Sequence, residues 1–252
     1  METTKTKNYK NLNLLKNLQK KSLFILIIGL LLNNHCIQSQ NSKEKEIYKW
    51  LDKNLGIESL DIKNGPAHFN YDKTVNNQNR YYQADNFTKG NVCYNNQNYF
   101  DLLLKYDIYR DELILNPYVE DNNTRINLVK EHVNSFTIND EKFVNLKNLP
   151  SVFKGGFYQE TIINSTTTLY IKYLKEKNKL NNVEINQIEY IPANEFILLK
   201  ENKLNLIKDK KAIISLFPDR KRKINDYYFM NSKVRKENLP LFMKNLMIYI
   251  NN

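Results

Sequence analysis

Hydrophobic and polar positions change period three times along the chain. Residues 43–55 place Ile47, Trp50, Leu51 and Leu55 at helical spacing, with Gly56 directly behind them. This predicts a short amphipathic helix stopped by glycine. Residues 61–89 are Asn-rich and aperiodic, with Asn64-Gly65-Pro66 as a turn signal. Tyr71, Tyr81 and Tyr82 lie in this stretch and are expected to pin it to the body.

From Gly90 the period falls to two. Val92-Cys93-Tyr94 and Tyr99 to Tyr106 flank Asn95-Asn96-Gln97-Asn98, which predicts a hairpin with an Asn-rich turn. Tyr109-Arg110-Asp111-Glu112 reads as the next turn, leading into Leu113-Ile114-Leu115. Further strands are expected at Arg125 to Val129, Val133 to Ile138 and Phe143 to Leu146. Two more pairs follow: Phe157 to Ile163 with Thr166 to Leu174 around Asn164-Ser165, and Glu195 to Leu199 with Lys203 to Ile207 around Glu201-Asn202. Alternation and β-branched or aromatic enrichment carry these assignments. Nothing between the strands is long enough for a helical parallel crossover. An antiparallel meander is expected, as a twisted sheet, an open barrel or a sandwich.

Past residue 207 the period returns to helical. Ile213, Ile214, Leu216 and Phe217 fit one or two turns, and Pro218 breaks the run. A second helix over Asp219 to Met230 turns Ile224, Tyr227 and Tyr228 inward. Asn238 is a predicted N-cap for a third, with Phe242, Leu246, Tyr249 and Ile250 on one face. The chain thus reads as a β-rich α+β protein in four parts: 1–39, 40–89, a β body over 90–207, and a helical tail over 208–252 packed on the body.

Residues 1–39 read as an export signal. Ser22 to Leu32 holds a ten-residue apolar core, Leu23 to Leu32, behind Lys20-Lys21 and ahead of a polar exit, Ile37-Gln38-Ser39. A membrane-spanning helix needs about 20 apolar residues, so the run suits a cleaved signal and leaves no span after cleavage. Cys36 offers an alternative, a lipid-bearing cysteine, although Asn34 and His35 before it are large and polar. The expected location is outside the cytoplasm, in the periplasm or at the outer-membrane periphery.

Charge sharpens this picture only at the tail. The chain has 38 basic and 27 acidic residues, and residues 201–252 alone hold 12 basic and 5 acidic. Residues 40–200 are close to neutral. Arg220-Lys221-Arg222-Lys223 sits at the start of the second tail helix, the end where the helix dipole disfavours cations by a few tenths of a kcal/mol. These four are the candidate binding residues. Anionic lipid head groups, acidic glycans or an acidic protein surface fit them; nucleic acid is disfavoured for an exported chain, and a solvated helix face is the plain alternative. Beyond the signal only Cys93 remains, so no internal disulfide forms and packing must supply stability. Cys93 suits either an intermolecular bridge or an inert buried thiol on a strand.

Catalytic constellations are scarce. His68 and His132 belong to no metal-ligand spacing, no Gly-x-Ser-x-Gly elbow or phosphate-cradling loop occurs, and nothing in the spacing joins Cys93 to His132. No cofactor or metal is expected. Asp101, Asp107, Asp111 and Glu112 form the densest acidic group. Paired carboxylates can hydrolyse glycosides or hold calcium, but Asp107 and Asp111 flank a turn, where Asp caps backbone and Arg110 offers a local counter-charge. Glu120-Asp121-Asn122-Asn123 likewise reads as a turn. Tyr94, Tyr99, Tyr106 and Tyr109 suit either stacking on sugars or filling a core.

The segment Gly90-x-Val92-x-Tyr94, Tyr99-Phe100-x-Leu102 and Lys105-Tyr106-Asp107-Ile108-Tyr109-Arg110-Asp111-Glu112-Leu113-Ile114 resembles a family of uncharacterised exported proteins of Bacteroidota. So do Val133-x-x-Phe136, Gly156-Phe157-Tyr158 and Leu216-Phe217-Pro218-Asp219-x-Lys221. The resemblance runs from about Gly65 to the end, departing in Asn-rich insertions around Asn76 to Asn79 and Asn178 to Asn186. It implies an envelope location and a β-rich body with a helical tail, and it brings no activity or catalytic residues. The expected function is non-catalytic binding of a partner protein or membrane surface in the envelope. The alternative is glycan binding or cleavage using surface tyrosines with Asp107 and Asp111.

Overall fold

The computed structural model describes residues 43–72, 74, 78–118, 124–180 and 187–251. The export segment with Cys36, the turn expected at 120–123, residues 76–77 of the first Asn-rich insertion and residues 181–186 of the second lie outside them. Residues 43–55 form helix α1, and Gly56 leaves it with a positive φ of 75°. On α1 the stripe of Ile47, Trp50, Leu51 and Leu55 is exposed. The chain divides into two compact units, one ending at Asn54 and one running Leu55–Asn252.

The second unit is built on a single open antiparallel sheet of ten strands. They are β1 (Thr88–Tyr94), β2 (Gln97–Asp107), β3 (Glu112–Asn116), β4 (Ile126–Asn127), β5 (Val133–Ile138), β6 (Glu141–Leu146), β7 (Gly156–Asn164), β8 (Thr167–Lys172), β11 (Glu195–Lys200) and β12 (Lys203–Leu206). A separate hairpin, β9 (Lys175–Leu180) with β10 (Gln187–Pro192), is inserted between β8 and β11. The order is β12-β11-β8-β7-β6-β5-β1-β2-β3-β4. Chain neighbours pair except where β5 returns to lie beside β1 and where β11 pairs with β8 across the inserted hairpin.

Turn chemistry sets much of this register. Asn95-Asn96, Asn139-Asp140 and Glu201-Asn202 each place two successive residues at φ between 48° and 63°. That is the two-residue hairpin turn whose twist matches the strands, and Asn and Asp tolerate it best. The β1–β2 turn is thus shorter than the four-residue Asn run suggested, and β2 begins at Gln97. Gly90 is required by close approach: a Cβ there would overlap the Thr137 carbonyl of β5.

Two cores lie along the sheet. The first gathers Val92, Tyr94, Tyr99, Tyr106, Phe136, Phe143 and Phe157 with Leu60, Ile62 and Tyr82 of the irregular segment. Phe136 and Phe143 stack at 4.8 Å, and Tyr106 meets both edge-on. The second joins Leu169, Ile171, Phe196 and Leu198 of the sheet to the helical tail. The tail is α2 (Lys210–Leu216), α3 (Lys221–Met230), α4 (Ser232–Glu237) and α5 (Leu239–Asn251). Ile213, Ile224, Tyr227, Phe242, Met243, Leu246, Met247 and Ile250 face inward, while Tyr228 is half-buried and Tyr249 stands at the surface.

Helix α5 starts where the sequence predicts, because Asn238 Oδ1 accepts the Leu241 backbone N–H at 3.0 Å. Asn238→Ala removes that cap and is expected to cost about 1 kcal/mol, read as a lower urea midpoint with an unchanged slope. Three expectations need correction. Tyr71 is 85% exposed, so only Tyr81 and Tyr82 pin the irregular segment. Helix α4 and the β9–β10 hairpin were not expected. Arg125 to Val129 yields only the two-residue β4. Among the described residues no helix is long and apolar enough to cross a membrane.

Candidate functional site

The four predicted cations do converge on one helix start. Arg220 ends the 3-10 turn Pro218–Arg220, and Lys221, Arg222 and Lys223 open α3. Proline at the first position of that turn breaks the preceding helix and redirects the chain. The first turn of α3 carries no acid and no side-chain cap. Arg220, Lys221 and Arg222 stand in solvent, whereas Lys223 is half-buried over the Tyr249 ring at 5.5 Å. Arg222 is 98% exposed and makes only a loose 3.9 Å contact with Asp226, one turn on.

The same face of α3 ends in apolar side chains. Seven residues at 1.5 Å each carry the helix about 10 Å and two turns from Arg222 to Phe229. Phe229 is 85% exposed and Met230 beside it 62% exposed. Ile224 and Tyr227 on the opposite face are buried in the second core. The core therefore fixes the rotation of α3 and holds the cations and Phe229 outward together.

Asp107 and Asp111 sit at either end of the β2–β3 turn, and both are buried. Asp107 Oδ1 accepts the backbone N–H groups of Tyr109 and Arg110, at 3.1 and 3.0 Å, as a turn cap. Its Oδ2 accepts Arg80 Nε at 2.6 Å and pairs with a second Arg80 nitrogen. The counter-charge is thus Arg80, not Arg110, which stays exposed in the turn. Arg80 in turn reaches Asp72, and Asp72 takes Lys177 of β9 and the Tyr190 hydroxyl of β10. This network fastens the β9–β10 hairpin over the turn.

Asp111 is the hub of a second network. Its Oδ1 accepts the Tyr106 hydroxyl at 2.6 Å and the Phe157 N–H at 3.4 Å. Its Oδ2 takes the ammoniums of Lys130 at 2.5 Å and Lys172 at 2.8 Å. Burial opposes ionisation of Asp111, but the two ammoniums outweigh it and hold the carboxyl below its usual range. Burial and the neighbouring Lys130 push the Lys172 ammonium down. The acid thus has two cationic partners, whereas Lys172 has one carboxylate shared with a neighbouring ammonium and is itself buried. Every oxygen of Asp107 and Asp111 is engaged. Neither has the open lone pair that a general acid or a sugar-facing nucleophile needs, and Asp111 is held ionised rather than protonated.

The other candidates are likewise absorbed by the fold. Tyr94, Tyr99 and Tyr106 are core residues, and Tyr109 packs its ring on Tyr190 at 5.3 Å. His68 is buried between Asn127 and the Tyr81 hydroxyl, and burial lowers its pKa. His132 faces the Tyr94 hydroxyl rather than Cys93, a free and half-buried thiol on β1. Among the described residues no three metal-ligating side chains gather into a possible ion site. Sequence reasoning missed Arg80, Lys130 and Lys172, whose partners lie 27, 19 and 61 residues away. It also missed Phe229, although the inward placement of Ile224 and Tyr227 left that position pointing out. Compared with models of protein families, with curated proteins and with solved structures, the chain matches none.

Proposed function

We propose that this chain is a non-catalytic binding protein of the cell envelope that docks on an anionic membrane surface through the outer face of α3. One observation carries it: Phe229, 85% exposed, shares a helix face with the solvent-facing Arg222, and Arg220 and Lys221 adjoin it. Cations draw such a face to anionic head groups, and an exposed aromatic then inserts at the apolar boundary. The export signal read at residues 1–39 supplies the setting. The engaged oxygens of Asp107 and Asp111 weigh against glycan cleavage at those residues.

Sedimentation with vesicles of phosphatidylglycerol and phosphatidylcholine tests it. Binding is expected to rise with the phosphatidylglycerol fraction and to fall with salt. Neutralising three cations at about 1 kcal/mol each, as Arg220→Gln/Lys221→Gln/Arg222→Gln, is expected to weaken it about a hundredfold. Phe229→Ser is expected to remove the part that salt does not. Equal binding to pure phosphatidylcholine, or none to either, overturns docking on an anionic membrane surface. Glycan binding has one observation in its favour, the exposed Phe69 and Tyr71 rings stacked at 6.0 Å. Loss of vesicle binding together with glycan retention that Tyr71→Ala abolishes points there instead.

A further inference from the structure

A groove of about 400 Å³ opens between the β11–β12 hairpin and the helical tail. Its floor is Phe196, Ile207 and Met243, all buried, and Tyr228 of α3 forms one wall. Val152 and Leu239 stand on its lips at 62% and 40% exposure, apolar surface left uncovered by the described chain. The volume falls within the range of about 300–1,000 Å³ common for small-molecule sites.

The charges around the opening are unequal. Of its two acids, Glu195 pairs with Lys154, and Asp209 keeps its charge while capping α2 by accepting the Ala212 N–H at 2.8 Å. Three cations remain. Lys208 lies on the groove wall, and Lys210 and Arg235 approach the Tyr228 ring at 4.9 and 5.3 Å. Among the described residues none of the three has a carboxylate partner. An apolar trough under unpaired cations complements one kind of molecule, a chain that is apolar along its length and anionic at one end.

We propose that this groove is a binding site for a single-chain anionic amphiphile: an acyl chain lies on Phe196, Ile207 and Met243, and its anionic head meets Lys208 and Arg235. The site is independent of membrane docking. Tyr228 projects about 100° around α3 from Phe229, so the two surfaces can be disabled separately.

Displacement of a dansyl-labelled fatty acid from the full-length protein tests this. Decanoate is expected to compete saturably at one site, and decanol and decyltrimethylammonium to compete at least tenfold more weakly. Lys208→Glu/Arg235→Glu, both at exposed positions, is expected to weaken decanoate about tenfold or more with the fold intact by circular dichroism. Leu239→Asp, on the exposed lip at a helix start where an acid is tolerated, is expected to weaken decanoate and decanol alike. The Arg220→Gln/Lys221→Gln/Arg222→Gln protein is expected to bind decanoate normally. Lysophosphatidylglycerol competing better than decanoate assigns the head to a phosphate-bearing lipid; the reverse assigns it to a free carboxylate. No saturable decanoate binding at millimolar concentration, or decanol equal to decanoate with Lys208→Glu/Arg235→Glu unchanged, overturns the site.

Discussion

Gly156→Ala is expected to destabilise the protein by about 4 kcal/mol, a loss in the range for breaking a buried charge network. Gly156 opens β7 with φ of 118°, a region that L side chains rarely adopt. A Cβ there would overlap Asp111 Oδ2 and stand 2.8 Å from the ammoniums of both Lys130 and Lys172. Asp111 cannot yield cheaply, because it also holds the Tyr106 hydroxyl and the Phe157 N–H. The glycine exists to let the strand backbone touch the carboxylate. Denaturant unfolding measures this, with Gly155→Ala beside it as control. A Cβ at Gly155 meets nothing closer than 3.6 Å, so that change is expected to fall within about 1 kcal/mol. Equal losses at the two positions would remove the special role of Gly156.

The same contrast between local and distant partners decides what the residues alone could reveal. Strand β5 begins and ends where its β-branched and aromatic run predicts, and Asn238 caps α5, because both signals are complete within a few residues. Tyr99 and Tyr106 both enter the first core although seven residues separate them, because an irregularity in the β1–β2 register, with Asp101 at φ 55°, resets the alternation of β2. Strand β9 is different. Lys175-Glu176-Lys177-Asn178-Lys179-Leu180 has no apolar alternation; among the described residues it pairs only with its hairpin neighbour β10, and Lys177 is tied to Asp72, 105 residues away. A polar helix such as α4, without a side-chain cap, carries no stripe to detect. The cations of the candidate site were legible because they are consecutive. Their apolar companion Phe229 became legible only once burial of Ile224 and Tyr227 fixed the rotation of α3.

Asp111→Ala is expected to cost about 4 kcal/mol at neutral pH, since it strands the buried Lys172 ammonium without a counter-charge and leaves the Tyr106 hydroxyl and the Phe157 N–H without their acceptor. The pH dependence separates this from simple loss of packing. The folded carboxyl of Asp111 titrates below the unfolded value of about 3.9. Its stabilisation is therefore complete above that pH and is lost as pH falls through the lowered folded value. The gap between the native chain and Asp111→Ala is thus widest from pH 5 to 8 and narrows below about 4. Asp72, likewise held low by Tyr190 and Lys177 against the opposing effect of burial, adds to the acid sensitivity of both proteins and cancels from their difference. Removing the stranded charge in Asp111→Ala/Lys172→Met is expected to recover about 2 kcal/mol. Urea midpoints at pH 7 and pH 3 decide it. A gap that stays constant over that interval means Asp111 acts through shape, and a gap under about 1 kcal/mol at pH 7 means that Lys172 keeps its charge solvated without Asp111.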